Sequence, residues 1–165
     1  DLESRGPSMQ DLAHTARVRL GACMTQMGNY SAAAAVLKNA SRCADAKTRV
    51  ESLLWIGRAT GREADVLVGR GEIEKAELRY REAAAATELA ISLESAIDDM
   101  TGALLDAALD RALWWTAIEH LSRDRSAVAA AAAARDDARE RVRGDPERQD
   151  WLAAQLLRYS RRPTR

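Results

Sequence analysis

Apolar residues recur at helical spacing along most of the chain, most clearly in residues 71–86. Ile73, Ala76, Tyr80 and Ala83 follow one another at offsets of three, four and three, which places all four on one face of an α-helix. The opposite face is charged. Two of the four apolar positions are alanine, so we expect another helix to approach closely there.

The same spacing occurs upstream, where a glycine is followed by an aromatic residue, an alanine, a leucine and an alanine: Gly28, Tyr30, Ala33, Leu37 and Ala40. Gly21, preceded by Leu20, stands seven residues before Gly28. This combination resembles the tetratricopeptide repeat. The first unit, residues 8–43, departs from the motif mainly at Arg17, where the family has a tryptophan. The second unit, residues 46–87, has Ala64 where the first helix usually has a glycine.

The resemblance implies an all-α fold of stacked antiparallel helical hairpins, a TPR-like α-solenoid. We expect about eight helices in four hairpins, with the last pair acting as a cap. The expected single domain covers residues 8–160, between a lead-in (1–7) and a basic tail (161–165). Its units are expected at about 8–43, 46–87, 88–123 and 126–160, with helix-to-helix turns at Gly28, Gly71, Thr87, Ala107 and Gly144.

Composition supports the all-α class independently. Hydrophobic residues make up 47% of the chain, but aromatic residues only 4%, and phenylalanine is absent. Alanine and leucine can fill thin contacts between helices without bulky side chains. There are only three prolines and no runs of β-branched residues, which leaves little room for strands.

The individual helices can be delimited further. Ser8 is a predicted N-cap for a first helix over residues 9–27, whose predicted packing stripe is Leu12, Ala16, Leu20, Cys23, Met24 and Met27. The third helix contains Gly57, Gly61 and Gly69, which predict a kink, a break near Gly61 or a close approach by a neighbour. Asp145 and Pro146 are predicted to start the last helix.

Charge and cysteine content limit the partners and the cellular compartment that we expect. The formal net charge is zero, which argues against general binding to nucleic acid. The stretch from Glu82 to Asp110 contains seven acids and no Lys or Arg. It is either a solvated face or a docking surface for a basic partner. Two cysteines make no disulfide framework, and neither a signal peptide nor a membrane-spanning run is evident. We therefore expect a cytoplasmic protein without membrane contact.

Catalytic chemistry is not predicted. His14 and His120 are far apart in sequence, and none of the common nucleophile, zinc or phosphate-binding motifs occurs. The adjacent acids Asp98-Asp99 and Asp136-Asp137 point to different faces of a helix. We therefore predict no enzyme activity, no catalytic residue, no metal site and no cofactor.

Tryptophan is the residue type most open to two interpretations. Trp114 and Trp115 are adjacent, so they diverge by about 100° on a helix and cannot both enter one contact. Either one packs between hairpins while the other covers a groove edge, or the pair anchors a partner. Trp55 and Trp151 lie in apolar stripes and are predicted to be core residues.

The resemblance also implies a concave groove lined by the first helix of each hairpin. By register, the polar groove candidates are Thr15, Arg19, Gln26, Arg58, Arg62, Asp65, Glu94, Asp98 and Thr101. Family members that bind chaperone tails clamp a carboxylate with Lys and Asn. Val18 and Ala22 stand at those positions in the first unit, so such a clamp is not expected.

These observations favour a non-enzymatic scaffold module that binds a peptide or helical segment of another protein, of mixed charge, in the groove. One alternative is a regulatory or self-association domain of a larger signalling or transcription-control protein. Another is a structural dimerisation domain with Trp114 and Trp115 in a homotypic interface, so a homo-oligomer stays open.

Overall fold

A computed structural model describes residues 8–94, 97, 101–122 and 124–161 of the chain. Within these ranges the regular structure is entirely helical, which confirms the all-α class. No membrane-spanning helix was found among these segments, since none combines sufficient length with sufficient apolar character. The helices are α1 (Met9–Gln26), α2 (Tyr30–Ala40), α3 (Ala46–Gly69), α4 (Ile73–Ser92), α5 (Thr101–Leu121), α6 (Arg125–Arg141) and α7 (Pro146–Ser160).

Local side chains fix the helix starts where the sequence predicts them. The Ser8 hydroxyl accepts a hydrogen bond from the Asp11 N–H at 3.1 Å, and the Asp11 carboxylate accepts one from the Ser8 N–H at 3.1 Å. This reciprocal capping box satisfies two N–H groups that have no partner within α1. Asp145 accepts a hydrogen bond from the Arg148 N–H at 3.1 Å, with Pro146 as the first residue of α7. Both predicted N-caps are confirmed.

Glycines make two of the tight turns between helices. Gly28 and Gly71 have φ angles of 81° and 75°, in the left-handed region that other residues adopt only with strain. Each lets the chain reverse within a few residues after α1 and α3. The following helix therefore packs back against the one that precedes the glycine.

The helices pack as three antiparallel pairs and a final single helix. Consecutive partners are α1 with α2, α3 with α4, and α5 with α6. The direction follows from contacts such as Tyr80 with Asp65 and Arg111 with Asp137. Helices α1, α3 and α5 also contact one another in turn, and α7 packs against α5. The odd-numbered helices thus lie side by side as one row, with α2 and α4 each behind two members of it.

Two predicted turns are wrong, because Thr87 and Ala107 are both fully buried inside continuous helices. No glycine or proline interrupts either stretch. The Thr87 hydroxyl donates to the carbonyl oxygens of Ala83 and Ala84, so the helix satisfies it internally. The described residues therefore contain seven helices rather than eight, and the third pair is α5 with α6 rather than residues 88–106 with 107–123.

Helix α3 runs unbroken through its glycines because other helices approach closely there. A Cβ built on Gly57 would lie 2.8 Å from Cγ2 of Thr87, and one built on Gly61 would lie 2.5 Å from Cη2 of Trp114. These separations are shorter than normal contacts. Of the outcomes predicted for the glycines of this helix, the close approach is observed at Gly57 and Gly61, whereas no atom lies within 4 Å of a Cβ built on Gly69.

Candidate functional site

A cleft of about 680 Å³ lies along the row of odd-numbered helices. The middle of its lining comes from α3 and α5, and the two flanks come from the C-terminal end of α1 and from α7. Tyr30, the first residue of α2, completes the wall beside α1. Helix α1 contacts α3, whereas α7 packs against α5 and reaches α3 through the bond from Tyr159 to Asp65, so the cleft lies between α1 and α7.

Arg58 is the best-anchored charged residue in the cleft. Its Nε donates to Asp110 at 2.7 Å, its Nη2 donates to Asp106 at 2.9 Å, and its guanidinium lies 5.2 Å from the ring centroid of Trp55. Burial raises the pKa of Asp110 to about 6, although the Arg58 charge opposes this shift. The guanidinium is therefore held in one orientation, with its charge largely compensated within the protein.

Other arginines give the cleft an excess of positive charge. Arg62 and Arg158 form no ion pair with any described residue, and both are exposed at the cleft. Among the described residues, Arg148 pairs only with Asp145, at 3.4 Å, at the exposed start of α7. The charges of Arg62 and Arg158 also reach Tyr159, where burial raises the pKa and these two cations act against that shift. The rim of the cleft is thus cationic.

Two tryptophans that the sequence assigns to the core line the cleft, and of these Trp55 also packs against the core whereas Trp151 does not. Trp55 is half-buried, and Trp151 is 44% exposed. In α7 the buried side is set by Leu152 and Tyr159, which lie two helical turns apart. Trp151 is displaced by about 100° from Leu152 and lies at the edge of that face. The spacing of Leu152 and Tyr159 was the signal that could have shown this.

Three of the predicted groove residues do line the cleft: Gln26, Arg58 and Arg62. Thr15 and Arg19 do not, since both lie closer to the start of α1 than Gln26 does. The Thr15 hydroxyl donates to the Asp11 carbonyl oxygen at 3.0 Å. Arg19 is exposed on α1, away from the cleft lining. Of α1, only the C-terminal end therefore contributes to the cleft, and the rest of the lining comes from Tyr30, α3, α5 and α7.

The remaining candidates are engaged elsewhere. Glu94 is paired with Arg141 at 2.9 Å, and Thr101 is exposed at the first position of α5. Asp65 accepts hydrogen bonds from the hydroxyls of Tyr80 at 2.6 Å and Tyr159 at 3.3 Å. Asp98 lies outside the described residues. The two described acids chosen by register, Glu94 and Asp65, thus bond to other side chains of the same chain.

The adjacent tryptophans have separate roles. Trp114 is 2% exposed, and its ring stacks on Tyr80 with centroids 5.9 Å apart and meets Tyr159 edge-on at 5.8 Å. Trp115 is half-buried and donates from Nε1 to Glu88 at 2.7 Å. One ring belongs to the core below the cleft and the other covers the contact between α5 and α4, so the pair does not form a joint surface anchor.

No candidate metal site occurs among the described residues, because no group of three or more His, Cys, Asp or Glu is placed to hold an ion.

Comparison with protein-family models, with curated proteins and with solved structures gave no match. The site is therefore interpreted from its own geometry.

Proposed function

We propose that this chain is a TPR-like interaction module that binds a segment of another protein in the cleft between α1 and α7, without catalysing a reaction. The observation that carries the proposal is the joint presence of exposed tryptophan and uncompensated arginine in one cleft. Trp151 offers apolar area, and Arg62 and Arg158 offer charge. Tryptophan and arginine are the side chains most often responsible for binding energy at protein interfaces.

The charge of the cleft favours an acidic segment over one of mixed charge. Asp106 and Asp110 both face Arg58 and compensate it, so neither is available to a basic partner. The guanidinium groups of Arg62 and Arg158 can each form a bidentate pair with a carboxylate. The preferred segment therefore carries Asp or Glu side chains together with at least one large apolar side chain, which packs on Trp55 or Trp151.

The TPR-like character is supported by the repeated spacing of the first two pairs. Ala33 and Leu37 in α2 and Ala76 and Tyr80 in α4 occupy matching sequence positions, and all four are fully buried. The contacts from α1 to α3 and from α3 to α5 give the row of helices that a concave binding surface needs.

A peptide titration tests the proposal. The probe is a fluorescently labelled synthetic peptide of alternating Glu and Leu residues, and its counterpart carries Lys in place of every Glu. We expect the acidic peptide to bind and the basic one not to bind. Arg62→Glu and Trp151→Ala should each weaken binding about tenfold or more. Leu157→Ala, an exposed position of α7 outside the cleft lining, should leave binding unchanged.

Two results would overturn the proposal. One is equal binding, or no binding at millimolar concentration, for the acidic and basic peptides. The other is a loss of affinity in Leu157→Ala as large as that in Trp151→Ala. Circular dichroism of each variant verifies that the helices are intact.

A further inference from the structure

The first helix carries an apolar stripe that nothing in the described structure covers. Its members are Met9, Leu12, Ala16, Leu20, Cys23 and Met27, which continues the stripe just past the end of α1, and all six are exposed. Met9 and Met27 are 84% and 83% exposed. Met9 and Met27 are eighteen positions apart, which is five helical turns, so the stripe runs straight along the helix. The sequence predicts most of these residues as a packing face; the prediction of burial is wrong.

The stripe is exposed because α1 packs through its other side. His14, Val18, Gly21 and Thr25 are the buried residues of α1. At about 100° per residue, their mean direction lies roughly 165° from that of the stripe. Gly21 brings α2 close, since a Cβ there would lie 2.4 Å from Cγ of Leu37. Helices α2 and α3 thus pack on a face of α1 made largely of small and polar residues, and the apolar stripe lies on the opposite face.

We propose that the uncovered face binds a second copy of the chain through an antiparallel pairing of the two α1 helices. The stripe is nearly symmetric about Val18. A two-fold axis that crosses the stripe at the level of Val18 places Met9 against Met27 of the other copy. It also places the small Ala16 against the large Leu20. Leu12 of one copy then lies within one residue of Cys23 of the other copy, measured along the helix. Such self-complementarity is what a two-fold interface between identical chains requires.

The size of the stripe sets the strength of the pairing. Helix α1 has eighteen residues, hence a length of ~27 Å and, with a width of ~10 Å, a contact of roughly 300 Å² on each copy. Stable interfaces bury about 800 Å² on each partner. The pairing is therefore a weak dimer that forms with increasing concentration. Arg19 of each copy lies beside the axis, so like-charge repulsion makes the dimer stronger at higher ionic strength.

Molar mass as a function of concentration tests the pairing. Light scattering on the chain should show the mass rising towards twice that of one chain as concentration increases, and rising further with added salt. Leu20→Glu places a charge in the stripe and should keep the protein monomeric. Leu78→Glu is the matched control, because Leu78 is an exposed leucine on α4, and it should dimerise as the unmodified chain does.

Cross-linking tests the direction of the helices. In the antiparallel pair the two Cys23 residues lie about ten residues apart along the helices, which is ~15 Å and too far for a disulfide. Leu12→Cys places a new thiol opposite Cys23 of the other copy. Copper–phenanthroline oxidation should therefore give a covalent dimer with Leu12→Cys and none with the unmodified chain, since Cys43 is buried.

Three results would overturn the proposal: a mass that stays at one chain up to millimolar concentration, equal loss of dimer in Leu20→Glu and Leu78→Glu, or a disulfide dimer of the unmodified chain. The stripe shares no residue with the cleft. Leu20→Glu should therefore bind the acidic peptide normally, and the two proposals can fail separately.

Discussion

The indole ring of Trp114 lies directly on the backbone of Gly61. A Cβ built on Gly61 would lie 2.5 Å from Cη2 and 2.6 Å from Cζ2 of that ring. The same ring contacts Tyr80 of α4 and Tyr159 of α7. Four helices, α3, α4, α5 and α7, therefore meet around one side chain. This contact determines how closely α5 approaches α3, and hence the width of the floor of the cleft.

Gly61→Ala should destabilise the protein by about 1–3 kcal/mol, because the added methyl group overlaps an aromatic ring that Tyr80 and Tyr159 hold in place. The intrinsic helix preference of alanine offsets only about 1 kcal/mol of this. Urea unfolding followed by circular dichroism measures the change in the free energy of unfolding.

Gly69→Ala is the matched control for that substitution. Gly69 is also in α3, but no atom lies within 4 Å of a Cβ built there. Alanine at this position should be neutral or should stabilise the helix by up to about 1 kcal/mol. Equal effects of the two substitutions would contradict the tight contact between Gly61 and Trp114.

Trp114→Ala and Trp115→Ala should differ strongly in stability. Removal of the buried Trp114 ring leaves a cavity among four helices, and we expect a loss of about 3–5 kcal/mol. Removal of Trp115 takes away a half-buried ring and its hydrogen bond to Glu88, so a loss of about 1–2 kcal/mol is expected. Thermal unfolding compares the two variants. A larger loss in Trp115→Ala would contradict the described placement of the pair.

Tyr80 and Tyr159, whose hydroxyls both donate to Asp65, should contribute unequally to the stability of the protein. The Tyr80 hydroxyl donates to Asp65 at 2.6 Å and the Tyr159 hydroxyl at 3.3 Å. Hydrogen bonds to a charged group contribute about 1.5–3 kcal/mol. We expect Tyr80→Phe to lose about that amount and Tyr159→Phe to lose less, because its bond is longer. Denaturant unfolding of both variants measures the difference, and equal losses would argue against the unequal bonds.

Asp110 should make stability depend on pH. Burial raises its pKa in the folded protein to about 6 from an ordinary value of 3.8. Between these values the folded state binds more protons than the unfolded state, so this group's contribution to stability falls as pH rises from about 4 to 6. Relative to Asp110→Asn, the unmodified chain should lose on the order of 2–3 kcal/mol over that interval.

The difference between these two proteins is the relevant measurement, since other carboxyl groups titrate in both. Unfolding free energies are compared at closely spaced pH values, and carboxyl carbon NMR of Asp110 gives its pKa directly. A difference that is constant between pH 4 and 6, or a pKa near 3.8, would show that burial does not dominate at this site.

The sequence by itself determined the all-α class, the starts of α1 and α7, and the pairing of α1 with α2 and of α3 with α4. Local signals decide these features: Ser8 and Asp145 cap their helices, and Gly28 and Gly71 adopt left-handed turns because of their own backbone freedom. Each of these depends on interactions within a few residues of chain.

Only the tertiary structure decided where α4 and α5 continue and which apolar faces are buried. Thr87 lies at a point where periodicity alone suggested a turn, but packing against Gly57 and a satisfied hydroxyl keep the helix intact. Helical spacing shows that a stripe is apolar, not which of two stripes a neighbour covers. In α1 the stripe with more hydrophobic residues is exposed, because Gly21 lets α2 approach the other side most closely.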